Sequence, residues 1–354
     1  MEFQYSFITT GIGSFPHHDE KEVLRLIVKN FPEIPFWPQL PKRSFLEGMI
    51  VQYSEGFPSL RWEEKEQRVW VDTSHGFDKE IEEFYQRLEG GELEPFQISE
   101  NFAKGLRILK DLSSEDHRKK IKYIKGQITG PITFGLALTD QEKKSIFYDP
   151  TLRDVLIKHL SLKAGWMEKR FNELFPGTPT MIFFDEPSLS SFGSAFSGLN
   201  REDVIHSLNE CFDAVKGLKG IHCCGNTDWS VLLSTNLDIL SFDAYGYLET
   251  LSLYSKELKT FLERGGILAW GIVPTDEEVV EKALKEDVQS LVKCFKEGLE
   301  TLSKNEIDRT LLQRAIITPS CGTASLPIHL AERVCQVTSE VSKRLRENLD
   351  SLSF

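Results

Sequence analysis

The chain has 354 residues, 40% hydrophobic and 27% charged, with a formal net charge of -12; that length admits two ordinary domains or one elaborated barrel. The acidic balance, with Lys and Arg dispersed along the chain, excludes a nucleic-acid or anionic-membrane partner, since either needs a basic face. No apolar run reaches the roughly 18–20 residues of a membrane helix and Met1-Glu2-Phe3-Gln4 opens no signal peptide, so the expected location is the cytoplasm, with the six cysteines as thiols or metal ligands.

Along the chain, short apolar stretches alternate with helical patterns, the signature of a parallel sheet covered by helices. Candidate strands lie at 7–14, 35–40, 121–128, 180–185, 219–224, 238–243, 266–273 and 315–320, which is the number a (β/α)8 barrel requires. The second, PFWPQL, carries two prolines, which weaken strand pairing. Helical spacing puts Val23, Leu24, Ile27 and Val28 on one face of 19–30, and Ala331, Val334, Cys335, Val341 and Leu345 on one face of 328–348. The stretch 41–120 is too long for one βα unit. It holds an extra strand, Arg68–Asp72, and helical patterns at 78–89 and 99–112, and reads as an insertion after the second strand that lids the barrel. The expected architecture is therefore α/β, a single TIM barrel spanning 1–354 as one domain.

Ile221-His222-Cys223-Cys224-Gly225-Asn226 closes the strand at 219–224. Strand alternation sends His222 and Cys224 to one face and Cys223 to the other. If the first pair faces inward, it stands at the C-terminal mouth, where barrels of this kind keep their active sites. Zinc takes such a nitrogen and sulfur pair readily. Cys321, in Thr318-Pro319-Ser320-Cys321-Gly322-Thr323, ends the last strand and can converge on the pair across the mouth. Asp243, ending 238–243, offers a displaceable oxygen and hence the exchangeable position that a catalytic zinc needs. Free cysteines are usually packing residues, which is the reading for Cys211, Cys223, Cys294 and Cys335. The small residues of Thr10-Gly11-Ile12-Gly13-Ser14 let a ligand approach the backbone, although this Gly-x-Gly leads into no dinucleotide fingerprint. Asp185, in Phe183-Phe184-Asp185-Glu186-Pro187, either holds a substrate ammonium group or caps a helix.

Five segments carry a resemblance: Ile12-Gly13-Ser14-Phe15-Pro16, Gly130-Pro131-Ile132-Thr133, Asp185-Glu186-Pro187, His222-x-Cys224 and Cys321-Gly322. In this order, over nearly the whole chain, they resemble the catalytic domain of cobalamin-independent methionine synthase. That superfamily also includes uroporphyrinogen decarboxylase and the methylcobamide:thiol methyltransferases. The resemblance implies a zinc-dependent methyltransferase of methionine biosynthesis, acting on a thiol such as homocysteine. It puts zinc on His222, Cys224 and Cys321, with Asp243 where the family has a longer carboxylate, glutamate. It also implies that Ile12, Ser14 and Asp185 hold the amino-acid substrate, Asp185 being the candidate catalytic side chain.

Two departures shape the expectation. Full-length synthases carry a second, N-terminal barrel with no counterpart in these residues. The histidine that the synthase places after its seventh strand is missing from Ala269-Trp270-Gly271-Ile272-Val273-Pro274-Thr275. This moves the expected methyl donor from methyl-folate toward a corrinoid on a partner protein. The alternatives are a uroporphyrinogen decarboxylase-like enzyme and a non-catalytic corrinoid-protein-binding subunit. The first needs several arginines at the mouth, where the chain offers Arg25 and Arg43. The second predicts a broad apolar surface rather than a pocket beside the metal.

Overall fold

Seven parallel strands form the main sheet in the computed structural model, which describes residues 5–194, 198–285 and 288–348. In chain order they are β1 (Ile8–Thr9), β2 (Ile124–Thr129), β3 (Thr180–Asp185), β4 (Leu218–Cys223), β5 (Ile239–Phe242), β6 (Ile267–Val273) and β7 (Ala315–Pro319). Their order in the sheet is β1-β7-β6-β5-β4-β3-β2. The helices that matter below are α1 (Glu20–Asn30), α2 (Pro131–Ala137), α3 (Pro150–Leu174), α4 (Ala244–Ser252) and α5 (Ile328–Glu347).

The sheet is buried on both faces, which is why its strands read as near-continuous apolar runs. One face encloses a compact cluster that includes Ile8, Tyr123, Met181, Leu218, Ile239, Ile267 and Ile316. Ile8 and Tyr123 come from opposite edges of the sheet, so the sheet curls around this plug. Residues of the other parity, among them Ile182, Phe184, Ile221, Leu240, Leu268 and Ile317, join the larger core beneath the helices. Cys211 and Cys223 belong to that core, Cys294 packs against it, and Cys335 sits in a third cluster with Val23 and Ile27. All four have the packing role read from the sequence.

The stretch expected as a second strand, 35–40, forms no ladder. It touches its neighbours through two isolated parallel bridges, Ser14↔Gln39 and Phe36↔Lys125. Gln39 N donates to Gly13 O at 3.0 Å and Trp37 N to Lys125 O at 3.1 Å. Pro35 and Pro38 have no N–H to give, so pairing cannot run on in either direction. The segment thus lies between the residues following β1 and β2 itself, bonded to both. The expected helix at 99–112 is also broken, into Lys104–Ile108 and a 3-10 turn, Leu109–Ser113.

The expected extra strand is Arg68–Val71, the middle of a small sheet with Leu60–Glu63 and Thr139–Asp140. The inserted stretch is held from two sides. Inside, Tyr53 Oη donates to Gln127 O on β2 at 2.7 Å and accepts from Gln39 Nε2 at 2.9 Å. Outside, His159 Nε2 on α3 bonds Tyr53 O at 2.7 Å, and Lys163 Nζ donates to Gln97 O at 3.2 Å. Burial lowers the Lys163 ammonium from 10.5 to about 7, against the opposing pull of Glu55. The unfolded chain keeps this proton up to 10.5 and the folded chain only to about 7, so stability from this site rises with pH between those limits. Lys163→Met should therefore exceed wild type in stability at about pH 6 and lose that advantage toward about pH 10, as urea titrations would measure. A difference that stays flat with pH would show that Lys163 remains charged.

Candidate metal centre

Inner side chains change from apolar to polar as the strands run toward their C-terminal ends. The series are Met181, Phe183, Asp185 on β3, and Ile239 then Ser241 on β5. Leu218 gives way to His222 on β4, and Tyr123 leads to Lys125, Gln127 and Thr129 on and before β2. Because all strands are parallel, the polar ends gather at one rim. Register places Asp185 opposite His222, and His222 opposite Ser241. Cys224 lies just past β4 and Cys321 just past β7.

The ligand atoms of His222, Cys224 and Cys321 lie within 4.8 Å of one another. Donors on a tetrahedral zinc, at roughly 2.0–2.3 Å from the metal, stand about 3.6 Å apart, so small movements close the set. His222 is 3% exposed. Its Nδ1 is 2.9 Å from Ser241 Oγ, while its Nε2 is buried without a partner. The thiol of Cys224 is pulled down, first by a hydrogen bond from Cys321 and then by His222, against burial. The Cys321 thiol is pushed up by the same hydrogen bond and by burial. The two sulfurs therefore differ in direction, Cys224 favouring the thiolate and Cys321 the thiol. An orphaned ring nitrogen beside two such sulfurs fits zinc.

Asp243 behaves differently from the expectation. Its Oδ1 accepts from Gly246 N at 2.8 Å and caps α4, and it lies outside the group of donors that close together. Asp185 does not cap the turn that follows it. The short turn Pro187–Ser191 that follows has no side-chain cap, and Asp185 Oδ1 is buried and unpartnered. Burial raises its carboxyl above the ordinary value, against His222 and Lys125.

A cavity of about 310 Å³ is lined by Ile12, Ser14, Asp185, His222, Cys224 and Cys321, and by Pro41, Glu47 and Met49 of the inserted stretch. All the predicted site residues but Asp243 therefore share one space. Gly322 packs closely here: a Cβ on it would fall 2.1 Å from Ser14 Oγ, which would have to turn aside. Thr323 N also donates to Ser14 O at 2.9 Å, tying the Cys321 loop to the end of the first strand. A larger groove, about 740 Å³, opens beside α3 far from these donors. Its buried carboxylate, Glu168, is spent on Thr180 and on the backbone of Lys216 and Gly217.

Two important residues escaped the sequence reading. Lys125 is buried, with Nζ donating to Ile12 O at 2.7 Å and Gln127 Oε1 at 3.2 Å, between the rings of Phe36 and Phe183. Its signal was the alternation of Lys125, Gln127 and Thr129 with apolar neighbours. Glu186 is fully buried and accepts from Ile132 N, Thr133 N and Thr133 Oγ1 at 2.7–2.8 Å. It joins the Gly130-Pro131-Ile132-Thr133 and Asp185-Glu186-Pro187 segments into one unit.

No protein-family model matches the chain, and no curated protein does. Solved structures do. One is the B12-independent methionine synthase from Shewanella sp. W3-18-1 in complex with selenomethionine, at 18% identity over 69% of this chain and 68% of that one, TM-score 0.45. Another is a methyltransferase from Methanosarcina mazei, at 13% identity over 96% of this chain and 94% of that one, TM-score 0.51. The chain shares that methyltransferase's fold. No helix among the described residues is long and apolar enough to cross a membrane.

The Glu186 clamp can be tested directly. Both its oxygens accept, so the amide of Glu186→Gln would turn an N–H toward a donor. The variant should lose about 1–3 kcal/mol of stability in urea unfolding, and an unchanged midpoint would contradict the clamp.

Proposed function

We propose that the chain is a zinc-dependent methyltransferase acting on a thiol that carries an amino group, homocysteine or a close relative. The observation that carries this reading is the single cavity in which three nitrogen and sulfur donors stand beside the unpartnered Asp185 Oδ1. In this reading the seven strands and 35–40 make a closed (β/α)8 barrel, one domain, with 41–120 as its lid. A reducing cytoplasm keeps Cys224 and Cys321 available as thiols.

His222, Cys224 and Cys321 would hold the metal, leaving a position for substrate. Bound zinc supplies a positive charge that keeps the acceptor thiol deprotonated at neutral pH, where a free thiol of pKa about 8.5 is mostly protonated. The chain's own groups orient the acceptor. Asp185 Oδ1 takes its ammonium group, and the backbone around Ile12 and Ser14 takes its carboxylate end. The cavity walls fix the sulfur for in-line attack and exclude competing water. A sulfur–methyl bond forms as the donor's bond to methyl breaks, and the thiol proton leaves to solvent.

Charge selects the acceptor class. Among the described residues, the charged side chains lining the cavity are Glu47 and Asp185, with no Lys or Arg. Glu47 is already paired with Arg43. The remaining carboxylate favours an ammonium-bearing thiol over an anionic one such as a thiol sulfonate. The same absence of lining arginines weighs against a porphyrinogen decarboxylase, whose substrate is a polyanion. The cavity beside the donors weighs against a non-catalytic subunit. For the donor, a methyl-corrinoid on a partner protein is preferred to methyl-folate. The stretch 269–275, on and just past β6, holds no histidine of the kind that would mark the folate-using synthase.

Purified protein should contain about one zinc per chain, measured by elemental analysis, and Cys321→Ala should lose it. A folded, metal-free wild type would overturn the reading. Asp185→Asn should keep its zinc yet raise KM for the amino thiol roughly 10–100-fold, the worth of one charge-assisted hydrogen bond. Steady-state kinetics with an amino thiol and with a thiol sulfonate decide this. Equal KM values in wild type and variant would sink the proposed acceptor class.

A further inference from the structure

We infer that Ser241 is a positioning residue of this centre: it receives the Nδ1 proton that His222 must carry when Nε2 ligates a metal. The inference rests on the zinc reading above.

Four observations converge on Ser241. It is 1% exposed, on β5, directly opposite His222 in the ladder. Its Oγ stands 2.9 Å from His222 Nδ1. The other ring nitrogen, Nε2, is buried with no partner and is the one left for a metal. Around Ser241 the inner positions are apolar: Ile239 on its own strand, and Ala269 opposite it on β6. An alanine would fit there without cost. A buried hydroxyl is unfavourable unless it is bonded, and its hydrogen-bond partner here is the imidazole.

The chemistry gives that bond a direction. A neutral imidazole carries one N–H. Metal binding at Nε2 needs the lone pair there, so the hydrogen sits on Nδ1. In a ring 3% exposed, that N–H cannot turn to water, and an acceptor must be built in. Ser241 Oγ is that acceptor. Without it, the metal-bound state would contain a buried donor with no partner, and the ring would lose the contact that fixes its rotation. Groups behind a metal ligand commonly change affinity by roughly 10–100-fold.

The test compares Ser241→Ala, Ser241→Thr, His222→Ala and wild type as full-length protein. Zinc affinity is read by competition with a chromophoric chelator, and the ligand field from the visible spectrum of cobalt(II)-loaded samples. Ser241→Ala should bind zinc roughly 10–100-fold more weakly and shift the cobalt bands. Ser241→Thr keeps the hydroxyl and should restore affinity and spectrum. If Ser241→Ala binds zinc like wild type while His222→Ala does not, the role given to Ser241 is wrong and the centre stands. If His222→Ala also binds like wild type, the centre itself is wrong. An alanine variant that melts lower when metal-free but keeps the wild-type cobalt spectrum would mark Ser241 as packing only, and overturn the inference.

Discussion

In-register parallel pairing across β3, β4 and β5 is the constraint on which the site depends. It sets Asp185, His222 and Ser241 side by side on three neighbouring strands, all on the inner face. A slip of one residue in any of these ladders would turn that strand's inner side chains out into the helix layer. The register is pinned at the rim as well as in the core. Glu186 N donates to His222 O at 2.8 Å, while the Glu186 carboxylate grips the first turn of α2. The residue next to the unpartnered Asp185 is thus among the most heavily bonded in the molecule, and it holds the end of β3 still while Asp185 is left free to meet a ligand.

The interior above the apolar plug is polar, yet most of it is satisfied. A chain of hydrogen bonds runs from Ile12 O through Lys125, Gln127, Gln39 and Gln52 to Phe102 O. It joins the end of the first strand to the inserted stretch without a gap, and a fully connected buried network of this sort stiffens what it joins. Against that background the unpartnered atoms carry information. Among the described residues some tryptophan N–H groups and His17 lack hydrogen-bond partners elsewhere, but Asp185 Oδ1 and His222 Nε2 are the ones whose residues line the cavity. In the function proposed above, their proximity on paired positions is what a bound thiol with an amino group would use.

How much of this was legible in the sequence depends on the range of the interaction. Apolar runs marked the strands, because burial on both faces leaves little else. Alternation alone separated His222 and Cys224 from Cys223, a two-residue relation. Cys321 became a candidate only by supposing a curled sheet, since nothing local connects it to β4. The prolines at 35 and 38 were visible, but that they would reduce a strand to two bridges depended on what lay on either side. Asp243 was read as a ligand although an aspartate immediately before a helix is also a capping signal, and the backbone took it. Glu186 could not be found by spacing. Its partners, Ile132 and Thr133, precede it by a whole βα unit, and its neighbour Asp185 drew the chemical attention.

The donors come from the ends of β4 and β7, which have two strands between them in the sheet and are distant in the chain. A metal held by both would be a crosslink as well as a reagent, and its binding energy would add to the stability of the folded rim. The crosslink would reach further than its three ligands. Gly322 packs on Ser14, and Thr323 is bonded to Ser14 O, so fixing Cys321 also fixes the backbone that follows β1. That backbone is in turn bonded to Gln39, and Gln39 to Tyr53 and Gln52 at the start of the inserted stretch. The wall of the cavity, the floor beneath it and the segment that overhangs it are therefore one mechanical unit, with the sulfur of Cys321 at one end. In such an arrangement the metal need not be near the inserted segment to steady it, because every link between them is already made.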